Sequence, residues 1–117
     1  MSYQKLEQHQ QQLHRLSHLS AICGWDQAAM MPEGGNEARA EAMAELGVLI
    51  HGKRTAPELG DWIARAESEP LDATQRANLA EIKRHWQDAS LLPSELVEAL
   101  SLAGSKCEHA WRRQRKE

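Results

Sequence analysis

Phenylalanine is absent from this chain of 117 residues, tyrosine occurs once and cysteine twice. Residues that favour β-strands are therefore scarce, whereas Ala, Leu, Glu, Gln and Arg, which favour helices, dominate. A small protein held together by disulfides carries more cysteine than this, so we predict that Cys23 and Cys107 are reduced, buried thiols on apolar helix faces. The length is typical of one domain, and we expect residues 1–117 to form a single all-α domain.

The chain also lacks a strong excess of either charge and any long apolar run. Its net charge is −3 and its pI is about 6.1, so no general affinity for nucleic acid or anionic membranes is expected. No segment approaches the roughly 20 apolar residues that span a bilayer. The polar N-terminus resembles no secretory signal, and together with reduced cysteines this predicts a cytoplasmic protein.

Apolar residues recur at helical spacing in five segments, which are separated by Pro, Gly and Ser. The first predicted helix covers about residues 3–23, and a crossover follows in residues 24–35. The starts of the four later helices are marked by the N-cap Asn36, by the capping-box spacings Thr55–Glu58 and Asp72–Gln75, and by Pro93. The pattern predicts an antiparallel bundle of about five helices.

Three tryptophans lie on the apolar stripes of the last three predicted helices: Trp62, Trp86 and Trp111. Large aromatic side chains at such positions usually pack between helices, which is our prediction for all three. The alternative is a hydrophobic groove for a binding partner. The stripe of the fifth helix still runs at Trp111 without a stop signal, so we expect the chain to be a piece of a longer protein.

His14 and His18 lie four residues apart on the first predicted helix, a spacing that can place two imidazoles on one metal ion. Arg15 stands directly after His14, where a zinc peptidase motif would have glutamate, and no acid follows at a useful spacing before Asp26. We therefore predict two solvated histidines, and a small metal sensor built on them is the rival hypothesis.

The crossover and the N-cap that follows it read G-W-D-Q-A-A-M-M-P-E-G-G-N over residues 24–36. Its proline disfavours helical geometry at the preceding residue, and its glycines permit an open turn. We expect the carboxylate of Asp26 to accept hydrogen bonds from free backbone N–H groups nearby. The side chains expected to fill the core here are Trp25, Met30 and Met31.

The run W-D-Q-A-A-M-M-P-E-G-G-N-E-A-R-A-E, which starts at Trp25, resembles the N-terminal signature of the thermostable metallocarboxypeptidase family, also called carboxypeptidase Taq. Three later segments agree in the same order: A-N-L-A-E-I-K-R from Ala77, L-P-S-E-L-V-E from Leu92 and E-H-A-W-R from Glu108. The resemblance therefore covers nearly the whole chain.

This resemblance implies an all-helical zinc-peptidase fold and release of single residues from peptide C-termini, with zinc or cobalt as the metal. Such enzymes hold the metal with two His and a Glu, and the Glu of a His-Glu-x-x-His motif polarises the attacking water. No His-Glu-x-x-His occurs in this chain, so no catalytic or metal-binding residue is carried over.

The resemblance implies instead that the chain forms an N-terminal wall and lid of a longer enzyme and is inactive alone. Its expected partners are the remainder of that enzyme, a peptide substrate in the full-length protein, and in isolation a second copy of itself. Trp25 and Asp26 are the candidates for contact with substrate. The alternative is a self-standing helical module that binds a protein or peptide through its tryptophan-lined stripes.

Overall fold

The structure, a computed structural model, describes residues 1–116 and the side-chain surroundings of residues 1–115. Its five α-helices and one short 3-10 turn are α1 (Ser2–Ala29), the turn Glu33–Gly35, α2 (Asn36–Arg54), α3 (Glu58–Glu67), α4 (Ala73–Ala89) and α5 (Ser94–Lys116). Within residues 1–116 there is no β-strand, and the prediction of an all-α fold with five helices is confirmed. None of the helices in this range is long and apolar enough to cross a membrane.

The first helix is longer than the prediction of residues 3–23, because it continues to Ala29. Gly24 alone does not end it, since one glycine inside a helix costs only about 1 kcal/mol. The helix ends just before Pro32, which restricts the residue preceding it. Trp25 and Asp26 therefore lie in the last turns of α1 and not in the crossover, which shrinks to a few residues and the 3-10 turn.

The predicted caps are right at one helix start and wrong at two. At α4 the Asp72 carboxylate accepts from the Gln75 backbone N–H at 2.8 Å, and the Gln75 side chain accepts in return at 3.0 Å. Thr55 instead donates its hydroxyl to the His51 carbonyl at 2.9 Å, and α3 begins after Pro57. Asn36 is the first helical residue of α2, because the preceding 3-10 turn already winds the chain and places Gly35 at the N-cap.

Replacing Asp72 by alanine is expected to lower the free energy of unfolding by about 1 kcal/mol, because the Gln75 backbone N–H loses its acceptor. Thr74→Ala is the matched control, since Thr74 is exposed in the same first turn and takes no part in the cap. Its effect should stay within about 0.5 kcal/mol. Urea titration followed by circular dichroism measures both variants, and equal effects would refute the capping role.

The core lies where the start of α1 meets α3 and α4. Its buried apolar side chains are Tyr3, Leu6, Leu59, Ile63, Ala66 and Leu79. Trp62 and Trp86 are half-buried and pack against this cluster, which confirms their predicted place between helices. The molecule is elongated, with extents of 60 × 24 × 19 Å, and this cluster packs around the start of α1. Other buried apolar side chains lie farther along α1 and on α2: Leu13, Ala40, Ala44 and Ile50.

Two buried histidines tie helix ends together through backbone carbonyls. The His9 ring Nε2 lies 2.6 Å from the Lys53 carbonyl oxygen, and the His51 Nε2 lies 2.6 Å from the Leu92 carbonyl oxygen. Because a carbonyl only accepts, each ring must donate from Nε2. The first bond joins α1 to the end of α2, and the second joins α2 to the turn between α4 and α5.

α2 is the shared neighbour of α1 and α5, and its contact with α5 is the most extensive in the molecule. The α5 face turned to α2 carries Val97, whose Cγ1 is 4.0 Å from where a Cβ on Gly47 would be, and buried Ser105. The prediction that Trp111 packs between helices is wrong, since it is 54% exposed. The predicted burial of Cys107 is also wrong, because this thiol is exposed, whereas Cys23 is half-buried. Small side chains already fill the contact with α2, which leaves the apolar stripe of α5 facing outward.

Candidate functional site

The junction of α1 and α2 is held by Asp26 and Arg39, which lie 13 residues apart in sequence. Arg39 pairs its guanidinium with the Asp26 carboxylate and also donates to the Cys23 carbonyl at 3.4 Å. The backbone N–H groups of Met30 and Met31 instead reach the main-chain oxygen of Asp26, at 2.9 and 2.7 Å. The prediction that the Asp26 side chain binds backbone N–H groups is therefore wrong, because a cation occupies it.

Arg39 suits this position electrostatically. It is the only Lys or Arg between Arg15 and Lys53, and it faces the carbonyl end of α1, which carries partial negative charge. The side chains of Arg39 and Asp26 are only 30% and 34% exposed, so water screens the pair less than a surface ion pair. One guanidinium therefore pairs with a carboxylate of the last turn of α1 and with a main-chain carbonyl one turn earlier.

Two more bonds fix the end of α1. The Gln27 amide donates to the side-chain oxygen of Asn36 at 3.5 Å. Arg112 on α5 donates to the Ala28 carbonyl and, at 2.7 Å, to the Glu108 carboxylate. Three helices therefore converge at this junction. The sequence patterns did not identify Arg39 or Arg112 as a residue that bonds one helix to another. The isolated position of Arg39 in the sequence was the available signal for the first.

The prediction that Trp25 and Met30 fill the core is wrong, because they are 62% and 64% exposed. Met31 is half-buried, with its side chain beside Gly35. Trp25 thus presents an indole ring to the surroundings one residue before the engaged carboxylate of Asp26. The junction can offer an aromatic contact surface, whereas Asp26 is already committed to a cation.

The two histidines proposed as metal ligands are both exposed on α1. His14 borders an open cavity of about 520 Å³, whose other polar walls include His85 and Asp88. A catalytic zinc site needs three protein ligands. Among the residues that the structure describes, no three His, Cys, Asp or Glu side chains come together as such a set, so these residues do not fit a catalytic metal.

Shifted pKa values occur at an exposed pair on α4, far from the junction in sequence. The hydrogen bond from Arg84 lowers the pKa of Glu81, and the same bond raises the pKa of Arg84. Both side chains are largely exposed, at 58% and 61%. This is an ordinary surface ion pair and marks no site.

Both the sequence and the fold of this chain are similar to those of known carboxypeptidases. Thermostable carboxypeptidase 1 from Thermus thermophilus is 34% identical over 114 residues, which are 94% of this chain and 22% of that protein. The solved structure of metallocarboxypeptidase 1 from Trypanosoma cruzi is 40% identical, with a TM-score of 0.78 over 86% of this chain and 21% of that one. The chain therefore spans about a fifth of the length of these relatives. The family model described as "Carboxypeptidase Taq (M32) metallopeptidase" matches residues 5–117, and with this agreement of sequence and fold the chain belongs to that family.

Proposed function

We propose that this chain is the N-terminal helical part of a metal-dependent carboxypeptidase that releases C-terminal residues from peptides. The observation that carries the proposal is the asymmetry of the match, since 94% of this chain corresponds to 22% of a thermostable carboxypeptidase. The five helices would act as one unit that walls and covers the peptide groove. Two free cysteines support a reducing, cytoplasmic setting.

The metal, zinc or cobalt, would be held by residues of the enzyme outside this chain. A metal of this kind polarises a carbonyl and activates water. The described residues supply no three-ligand set for it, so we assign them no chemical step. Their proposed contribution is to shape and close the groove, with the exposed Trp25 ring packing on the peptide and the Asp26–Arg39 pair fixing the helix that carries Trp25.

The test is a peptidase assay on a chimera in which these 117 residues replace the matching segment of the Thermus thermophilus enzyme. We expect the chimera to release C-terminal residues from an unstructured peptide when zinc or cobalt is supplied. We expect the isolated chain to release none under the same conditions. The intact relative is the positive control, and the relative without the matching segment is the negative control.

Either of two results would refute the proposal. Hydrolysis by the isolated chain would show that it carries its own catalytic site. A folded chimera without activity would show that these helices cannot serve as the corresponding part of a carboxypeptidase. In that case a self-standing helical module that binds proteins or peptides becomes the better interpretation.

A further inference from the structure

An apolar stripe on α5 faces outward along most of the helix. Its members recur at spacings of four, three, four and three residues, and we call them the α5 stripe: Leu96, Leu100, Ala103, Cys107 and Ala110, with Trp111 beside the last. Leu96, Leu100 and Trp111 are 41%, 59% and 54% exposed. This alternation is the heptad spacing by which one helix packs along another, and it extends over about 22 Å at 1.5 Å per residue.

The contact that α5 already makes does not use this stripe. Val97, Ser101 and Ser105 lie four residues apart on the α2-facing side, and all three are at least half-buried. Of the stripe, Ala110 is half-buried, whereas Leu96, Leu100, Ala103, Cys107 and Trp111 are exposed. A true monomer rarely leaves an apolar strip of this length open to water.

A second cavity lies beside the stripe. Its volume is about 500 Å³, and Leu100 of the stripe lines it together with Ser17 and Ser20 of α1 and Gly47 of α2. The α1 wall is thus made of small side chains, which allow a further helix to approach closely, whereas α2 adds the larger Ile50, His51 and Arg54. The stripe and this cavity together form a groove with one strongly apolar side.

We propose that the α5 stripe docks an amphipathic helix from the part of the carboxypeptidase polypeptide outside these 117 residues. This inference rests on the proposed function. The heptad spacing selects a helix as the occupant, and the relatives are about five times as long as the matched segment, so ample polypeptide exists to supply one. Cations border the second half of the stripe at Lys106 and Arg113, while Glu95 borders its start. The docked helix should therefore carry acidic side chains opposite Lys106 and Arg113.

Cys107 lies within the stripe and reports directly on its coverage. In the isolated chain this exposed thiol should react readily with iodoacetamide. In the chimera with the Thermus thermophilus enzyme, a docked helix should make alkylation of Cys107 at least about tenfold slower, because reaction then requires local opening. Peptide mapping by mass spectrometry reads this one site whatever other thiols are present.

A matched pair of variants locates the contact. Leu100→Glu and Leu49→Glu change side chains of similar exposure, 59% and 53%, but Leu49 is on α2 outside the stripe. In the chimera Leu100→Glu should restore fast alkylation of Cys107, and Leu49→Glu should leave it slow. In the isolated chain neither should shift the unfolding midpoint appreciably, which separates loss of docking from loss of folding.

The outcomes separate this inference from the function it rests on. An active chimera with slow Cys107 alkylation supports both. An active chimera in which Cys107 reacts as fast as in the isolated chain overturns the docking and leaves the proposed function standing. An inactive chimera in which Cys107 is protected supports the docking and overturns the proposed function. Protection that grows with the concentration of the isolated chain, and is no greater in the chimera, would assign the stripe to a second copy and overturn the docking of an enzyme helix.

Discussion

Replacing Leu59 by alanine is expected to lower the free energy of unfolding by about 2–5 kcal/mol. Leu59 is 1% exposed and packs among the apolar side chains that join α1, α3 and α4. Truncation removes several buried methyl and methylene groups and leaves a cavity that neighbouring helices can only partly close. Urea unfolding followed by far-ultraviolet circular dichroism measures the loss.

The matched control is Leu91→Ala, which makes the same chemical change at a side chain that is 80% exposed in the turn between α4 and α5. Its effect should stay within about 0.5 kcal/mol. The free energy of unfolding of a native domain is only about 5–15 kcal/mol, so the Leu59 variant should lose a large part of its stability. Similar losses for the two variants would contradict the placement of the core.

Breaking the Asp26–Arg39 pair is expected to have the next largest effect. Removal of either side chain should lower the free energy of unfolding by about 1–3 kcal/mol. The remaining charged group loses its counter-charge, and because it is only about one-third exposed, water does not fully replace that partner. Combining Asp26→Ala, Arg39→Ala and the double variant in a thermodynamic cycle should give a coupling energy of about 1–2 kcal/mol. Thermal and urea unfolding of the four proteins provide the measurement.

The Glu67–Lys83 pair is the control for this cycle, since its side chains are 47% and 43% exposed and it joins two helices without capping either end. Its coupling energy should be about 0.2–1 kcal/mol and should fall more steeply with added salt. A coupling energy for Asp26 and Arg39 no larger than that of this control would show that the junction is not held by the pair.

The helices were predictable because each one buries apolar residues at a spacing near 3.6, a signal that survives in a single sequence. The ends were predictable where one local device decides them, as with the reciprocal bonds of Asp72 and Gln75. They were not predictable at the crossover. There the helical preference of Gln27 and the two alanines after it outweighs Gly24, and the stop comes only near Pro32.

The pairing of Asp26 with Arg39 at the junction could not be predicted from any local sequence pattern. Whether Asp26 meets a backbone N–H or a guanidinium is set by how α2 folds back along α1, and that geometry follows from packing along both helices. The family could be read from the residues after Trp25, and the comparisons confirm it. The orientation of the α5 stripe could not, because periodicity identifies an apolar face without saying what that face meets.

The buried cluster packs around the start of α1 in a molecule that is 60 Å long. Different contacts therefore stabilise the region near this cluster and the region near the end of α1. Near Tyr3 and Leu79, main-chain amides are shielded by side chains belonging to this chain, and their exchange with deuterated solvent should require near-complete unfolding. Towards Trp25 and Trp111 the shielding is thinner, so fraying there would be governed by whatever lies against α5. Assembly with a partner can therefore slow amide exchange near Trp25 and Trp111 while exchange near Tyr3 and Leu79 stays almost unchanged.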